Sequence, residues 1–151
     1  MLLVHHVTPP ALGEVEETVR RETAAPCGAT VAWYASRAIS YRRLSDRLDP
    51  QRATGLRFVA MNSADGNEEE FHSWYEEDHL PRFANVPGVL LGRRFRSPGS
   101  PREYLAVYWL ASIEVVNDPR WRAAADTEWT RTMRAKTFDR DRINFIRYLP
   151  R

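Results

Sequence analysis

Apolar and polar residues follow a strand-like period in four stretches of the second half of the chain. The predicted strands are residues 55–61, 89–95, 103–110 and 142–149. Two stretches with a helical period lie between them, one starting at Asn67 and one running from Asp118 and Pro119 to about Lys136. The resulting order, βαββαβ, predicts an α+β fold of the ferredoxin-like type for residues 54–151.

The first 53 residues have a different pattern. Residues 2–7 are predicted as a strand, 11–24 as a helix and 29–34 as a second strand, with residues 38–41 as a candidate continuation of it. The stretch 42–53 has no sustained apolar period and is predicted as a loop or a short exposed helix. Residues 1–53 are therefore expected to form a partial α/β unit packed on the same domain as residues 54–151.

The helix predicted at Asn67 has an unusual composition. Asn67 and Glu70 have the spacing of a capping box. Helical periodicity places one acid, Asp78, on its apolar side and a histidine, His79, at the edge of that side. Pro81 disfavours helix, so the regular helix is expected to loosen just after His79, leaving both side chains near a helix end.

The third predicted strand is apolar on both faces. Residues 104, 106 and 108 are Tyr, Ala and Tyr, and residues 105, 107 and 109 are Leu, Val and Trp. Since the two helices cover only one face of such a sheet, the other face would expose a large apolar patch. We expect a second sheet to cover it, supplied either by a second copy in a dimeric α+β barrel or partly by residues 1–50.

Composition and charge exclude several classes of function. The net charge of +2 comes from scattered arginines interleaved with acids, which argues against a nucleic-acid partner. Neither a targeting segment nor a membrane span is recognisable, so a soluble cytoplasmic protein is expected. Cys27 is the only cysteine, which excludes an internal disulfide and is read as an ordinary small residue.

Several motifs resemble a known family. Residues 71–81 read FHSWYEEDHLP, residues 86–88 read VPG, residues 93–95 read RRF and residues 118–121 read DPRW. This pattern resembles dimeric α/β-barrel proteins of the EthD and antibiotic-biosynthesis monooxygenase groups. The resemblance implies a homodimer with a pocket between the sheet and its helices. It also implies a hydrophobic, aromatic or polyketide-like ligand, with cofactor-free oxygenases, cyclases, dehydratases and lactone isomerases among the relatives.

Three residues are candidates for catalysis. His79 matches the family histidine and can exchange protons near neutral pH, or else it only fastens the helix. Asp78 either orients His79 or pairs with Arg82 four residues later. Tyr75, one turn before His79, either donates a hydrogen bond to a substrate oxygen or packs in the core.

The predicted substrate-binding residues are aromatic or basic side chains near this helix or on its expected inner side. They are His72, Trp74, Arg82, Tyr104, Tyr108 and Trp121. A metal site at His72, Glu76 and His79 has suitable helical spacing but lacks a zinc-protease pattern, so no metal is expected. No phosphate loop, serine-hydrolase motif or dinucleotide fingerprint is present, and no cofactor is expected.

These observations favour an enzyme that performs acid/base cyclisation or dehydration on a hydrophobic biosynthetic intermediate. A cofactor-independent monooxygenase is the first alternative, because the same base could form a carbanion that reacts with oxygen. A non-catalytic ligand-binding accessory protein is the second.

Overall fold

The computed structural model describes residues 37–43 and 50–147, with side chains from residue 51 onward. Five strands form one antiparallel sheet: β1 (Arg37–Arg43), β2 (Gly55–Ser63), β3 (Val89–Arg96), β4 (Tyr104–Leu110) and β5 (Thr137–Ile146). Their order is β1-β3-β4-β2-β5. The last four strands and the helices between them confirm the ferredoxin-like βαββαβ fold.

β1 extends the sheet beyond this fold. It pairs antiparallel with β3, from Arg37 opposite Arg96 to Arg43 opposite Leu91. Part of the stretch predicted as a loop is thus strand, and a single 3-10 turn follows at Pro50–Arg52. The strand and helix predicted for residues 2–7 and 11–24, and the strand predicted for 29–34, lie outside the described residues. The expected packing of residues 1–53 as a unit stays a prediction.

β5 begins earlier than predicted. It pairs with β2 from Thr137 opposite Ser63 to Ile146 opposite Gly55, with an irregularity near Ala60. Polar residues dominate its first half, so its pattern did not stand out in the sequence. Pairing along the whole of β2 compensates for this weak strand pattern.

The first helix begins at Glu68, close to the predicted start, but without the predicted cap. The Asn67 side chain makes no cap hydrogen bond and donates instead to the carbonyls of Ala64 and Asp65. Glu70 interacts with Lys136 and Trp129 rather than with the Asn67 backbone. The capping box is therefore wrong, and the helix is held by contacts to the second helical region.

This helix changes its winding at the predicted site residues. Helix α1 (Glu68–Ser73) is followed by a π-helical segment, Trp74–His79, and then by α2 (Leu80–Phe83). Pro81 removes one helical hydrogen bond and crowds the preceding turn, and a wider turn just before it relieves that crowding. The expected loosening after His79 is therefore wrong, because the chain stays helical through Pro81 to Phe83.

The π turn also changes which side chains face inward. Its hydrogen bonds join residues five apart, so Trp74 and His79 lie one above the other, with ring centroids 4.4 Å apart. His79 is buried, whereas Arg82 is exposed. The regular helical period had predicted the reverse, with the Arg82 side chain on the apolar side of the helix and His79 at the edge of that side.

The second helical region consists of two helices rather than one. Helix α3 (Pro119–Ala125) begins as predicted, with the Asp118 carboxylate accepting from the Arg120 backbone N–H at 2.8 Å. Helix α4 (Glu128–Ala135) has its own cap, Thr127, whose hydroxyl accepts from the Thr130 N–H. The break lets the two helices meet the sheet separately.

The core lies between the sheet and the helices. Fifteen buried residues form one hydrophobic cluster there. Its largest members are Phe71, Trp74, Tyr75, Phe83, Tyr104, Tyr108 and Trp121. Gly55 allows β2 to approach the turn after β4, because a Cβ at this position would lie 2.6 Å from the Ile113 backbone nitrogen.

The opposite sheet face is also apolar, as predicted. Val107 and Leu91 are 3% and 6% exposed, whereas Ile143, on the edge strand opposite Phe58, is 46% exposed. The Phe58 and Phe145 rings pack on this face at 4.9 Å. No helix within the described residues is both long and apolar enough to cross a membrane.

Candidate functional site

A small cavity lies between the sheet and the helices, where the resemblance had implied a pocket. Its volume is about 80 Å³. The apolar part of its wall comes from β2, the π segment, α2, α3 and α4: Val59, Met61, Trp74, Phe83, Trp121, Ala125 and Met133. Tyr75, His79 and Thr130 add polar groups, and Arg57, Arg134, Arg140 and Arg142 add basic ones.

His79 is one of two predicted catalytic residues that line the cavity. Its ring is 9% exposed and packs against the rings of Trp74, Phe83 and Tyr75 at 4.4, 4.9 and 5.1 Å. Its Nδ1 atom is buried without a hydrogen-bond partner within the described structure. The imidazole is thus fixed by packing, with an unsatisfied nitrogen at the site.

The environment keeps this imidazole neutral. Burial lowers the pKa of His79 from 6.5 to about 3, against an opposing effect of the nearby Asp78 carboxylate and with a further lowering by Arg94 and Arg134. At neutral pH the ring therefore has one N–H donor and one free acceptor nitrogen. It can accept a proton if a negative charge forms next to it, since that charge would stabilise the imidazolium.

Asp78 makes no described hydrogen bond with His79. Its Oδ1 atom forms an ion pair with the Arg82 Nε, and its Oδ2 atom accepts a hydrogen bond from the Thr127 hydroxyl at 2.8 Å. The alternative that Asp78 pairs with Arg82 is thus confirmed. An orienting carboxylate would accept a hydrogen bond from the His79 ring, and the His79 Nδ1 atom has no such partner among the described residues. The carboxylate instead joins the π segment to the start of α4.

Tyr75 lines the cavity next to His79. It is 2% exposed, and burial raises the pKa of its phenol. Within the described structure its hydroxyl makes no hydrogen bond. The Arg94 guanidinium lies over its ring, 4.0 Å from the centroid. The neutral phenol thus lies next to a neutral imidazole, and its predicted role as an oxyanion donor stays a prediction.

The predicted binding residues fall into two groups. Trp74 and Trp121 line the cavity, and the Trp74 indole N–H donates to the Thr130 hydroxyl at 3.2 Å. Tyr108 is not part of the lining, but its ring lies 5.6 Å from that of Trp121, and its hydroxyl has no hydrogen-bond partner among the residues that the structure describes. Burial raises the pKa of Tyr108 well above its usual value.

The other three lie outside the cavity lining. Arg82 is on the surface with Asp78, where an open depression also includes Glu77 and Asn85. His72 lies beside Arg94, with its Nδ1 atom 3.0 Å from a guanidinium nitrogen. Tyr104 contacts the His72 ring at 5.7 Å. The helical period had placed Arg82 on the inner side because it did not include the π turn.

Arg94 contacts two of the three residues that were considered as metal ligands, His72 and Glu76. Its guanidinium is 3% exposed and contacts both His72 and the Glu76 carboxylate, the latter at 3.2 Å. Burial, and then Arg94, lower the pKa of His72. The described residues contain no group of three or more possible metal ligands. His72 and Glu76 thus meet around a cation of the protein itself, and His79 lies apart in the cavity.

The arginines of the cavity were not predicted. Arg57 follows the period of β2, on the same face as Val59 and Met61, so the strand pattern contained a signal for it. Its guanidinium donates to the Asn144 side-chain oxygen at 2.9 Å and lies 5.7 Å from the Trp121 ring centroid. Arg140 lies in the part of β5 that precedes the predicted strand, and Arg142 is the first residue of that predicted strand.

Comparisons with known structures find similar folds at low identity. A proposed monooxygenase from Lactobacillus acidophilus NCFM is 19% identical with a TM-score of 0.45, over 60% of this chain and 42% of that one. A ferredoxin-fold protein related to antibiotic biosynthesis monooxygenases, from Listeria monocytogenes 4b F2365, is 10% identical with a TM-score of 0.49, over 77% and 66%. An EthD-family protein from Bacillus halodurans C-125 is 12% identical with a TM-score of 0.39, over 62% and 99%.

These structures include both groups that the sequence resembles. A comparison with protein-family models finds no match, and one with curated proteins finds none either. The chain spans less than half of the Lactobacillus protein. The fold assignment therefore rests on the strand order and connections, and the function has to be argued from the cavity.

Proposed function

We propose that this protein is a small-molecule tailoring enzyme that moves protons on a hydrophobic substrate, resulting in cyclisation or dehydration. The observation that carries the proposal is the pair formed by His79 and Tyr75, which line one cavity with ring centroids 5.1 Å apart. His79 would accept a proton from a carbon next to a carbonyl, and Tyr75 would donate a hydrogen bond to the resulting enolate oxygen.

The low pKa of His79 fits this division of roles. A free imidazolium is unfavourable in the buried site, but an enolate held by Tyr75 would lie next to it and form an ion pair. The proton could then pass from His79 to a leaving hydroxyl, which departs as water. Every step uses side chains of the chain and no cofactor.

The cavity limits the part of the substrate that reacts. About 80 Å³ is less than the roughly 150 Å³ that encloses one benzene ring. Only a few atoms of a larger molecule would enter, and the rest would lie at the opening. This arrangement suits a reaction at one end of a larger intermediate.

The first test compares small-molecule profiles of producing cells with the wild-type gene, a deletion and the variants His79→Gln and Glu77→Gln. We expect the deletion and His79→Gln to accumulate the same compound, and the exposed control Glu77→Gln to behave as wild type. The mass difference between that compound and the normal product names the reaction. Loss of water or no change supports dehydration or cyclisation, whereas gain of oxygen identifies the cofactor-independent monooxygenase. A normal profile for His79→Gln would contradict catalysis and favour a ligand-binding accessory protein.

We also propose that the protein is a homodimer in which the second apolar sheet face is covered. The half-buried and exposed apolar side chains on that face, Leu56, Phe58, Leu105, Trp109 and Ile143, support this proposal. Light scattering coupled to gel filtration should give twice the mass of the chain. A stable monomer at micromolar concentration would contradict it.

A further inference from the structure

Four arginines from three elements converge on the cavity that contains His79. Arg57 is on β2, Arg134 on α4, and Arg140 and Arg142 on β5. Among the described residues, no aspartate or glutamate lines the cavity. One wall of a largely aromatic cavity is therefore strongly positive.

Three of these guanidiniums have no carboxylate partner within the described structure. Arg57 donates to the Asn144 amide oxygen, and Arg140 contacts the Thr137 hydroxyl. The Arg142 side chain makes no hydrogen bond or ion pair with the described residues. Arg134 differs, since it pairs with Asp126 at 3.1 Å. Elsewhere in the chain, arginines such as Arg82, Arg96 and Arg120 have acidic partners.

The close positive charges oppose one another. The pKa of Arg57 is lowered by burial and then by Arg142, and the pKa of Arg140 is lowered by burial, then Arg142, with Arg134 adding to the effect. A cluster of this kind costs free energy when nothing negative is bound. Groups held in such an unfavourable arrangement beside a cavity are typical of a binding site.

Exposure increases along the cavity from the catalytic pair to the arginines. Tyr75 and His79 are buried, Arg57 and Arg140 are half-buried, and Arg134 and Arg142 are exposed. The apolar rings and His79 thus form the inner end, and the guanidiniums form the opening. The planar fork of a guanidinium matches an oxyanion with two parallel hydrogen bonds.

We propose that the substrate is a hydrophobic molecule with an oxyanion, a carboxylate or a phosphate, which Arg57, Arg140 and Arg142 bind at the cavity opening. One end of its apolar part then reaches towards Trp74 and Trp121, and the reacting atoms meet His79 while the rest lies at the opening. This inference deepens the proposed function, because it names the substrate class of the same cavity. It also explains how a small cavity can position a larger substrate, since the anion is held outside the enclosed volume.

The test uses four simple probes with the full chain: benzoate, its neutral analogue benzamide, phenyl phosphate and inorganic phosphate. Binding is followed at low ionic strength by tryptophan fluorescence, to which Trp74 and Trp121 contribute from the cavity wall. The variants are Arg142→Gln, whose side chain has no described partner, and His79→Gln. The matched control is Arg122→Gln, which removes the same charge from the exposed surface of α3.

We expect benzoate or phenyl phosphate to bind at least about tenfold more tightly than benzamide, and the tighter of the two identifies the oxyanion. Arg142→Gln should remove most of this difference, and Arg122→Gln should keep it. Equal binding of benzoate and benzamide, inorganic phosphate binding as tightly as phenyl phosphate, or no binding at all would each overturn the proposal.

The variant His79→Gln separates this inference from the proposed reaction. Its oxyanion binding should remain within about threefold of wild type, because the arginines do not depend on the imidazole. If binding depends on the arginines but His79→Gln has a normal small-molecule profile, the oxyanion-binding site is supported and the catalytic role of His79 is contradicted. If His79→Gln loses the product but binding does not depend on the arginines, the catalytic role is supported and the oxyanion-binding site is contradicted.

Discussion

Acidification should destabilise the folded protein through His79. Its pKa is about 3 in the folded state, against 6.5 for an unperturbed histidine. Between these values the unfolded chain binds a proton that the folded chain does not, so stability falls as the pH falls. The folded state has its full stability with respect to His79 above about pH 6.5, and this stability is lost progressively as the pH falls to about 3.

The size of this effect follows from the same two values. At about 1.4 kcal/mol per pH unit, the window from 6.5 to about 3 corresponds to a loss of about 5 kcal/mol. Near pH 5, about 2 kcal/mol of it should already be lost. For a chain of 151 residues, this is a decrease in Tm of roughly 4–8 °C.

Urea unfolding of wild type and His79→Gln at pH 7 and pH 5 measures the loss of unfolding free energy that is due to His79. Glutamine stays neutral at both pH values, so the wild type should lose about 2 kcal/mol more than the variant. His72, whose pKa is also lowered, is present in both proteins and cancels. Equal losses would refute the reasoning, since they would mean that His79 titrates normally and is not enclosed.

Two further predictions concern the support of the site. Arg94→Lys should destabilise the protein by about 1–2 kcal/mol in urea unfolding, because lysine cannot keep both the contact over Tyr75 and the forked hydrogen bonds. The control Arg96→Lys changes an exposed residue on the same face of the strand and should lower the free energy of unfolding by less than about 0.5 kcal/mol. Gly55→Ala should cost at least about 2 kcal/mol in the same assay, since its Cβ would collide with the Ile113 backbone, and a change below about 0.5 kcal/mol would contradict that close approach.

The fold could be predicted from the sequence because its signals are local and mutually consistent. The strands at Gly55 and Val89 and the Asp118 cap were each recognisable from short patterns. The break at Thr127 was not, because a threonine inside an apolar period is compatible with one continuous helix. The early start of β5 was not recognisable either, since its first half is stabilised by pairing with β2 rather than by its own residues.

The site could be predicted only in part. His79, Tyr75, Trp74 and Trp121, which the family resemblance and the apolar patterns marked, line the cavity, and their roles stay predictions. With the π turn before Pro81, Asp78 and Arg82 lie outside the cavity lining, and a regular helical period cannot show such a turn.

The arginines were missed for a different reason. The chain has 22 lysines and arginines spread over its length, and a single arginine in a strand is usually a surface residue. Only the three-dimensional arrangement shows that Arg57, Arg140 and Arg142 meet at one cavity.

The most direct measurement is the turnover of the compound that accumulates in the deletion strain by purified wild type, His79→Gln and Asp78→Asn. The account predicts that kcat falls at least about 100-fold in His79→Gln, the range for loss of a general base, and stays within about threefold in Asp78→Asn. It would be contradicted if Asp78→Asn abolished turnover while His79→Gln retained it. The carboxylate that pairs with Arg82, and not the buried imidazole, would then be the reacting group.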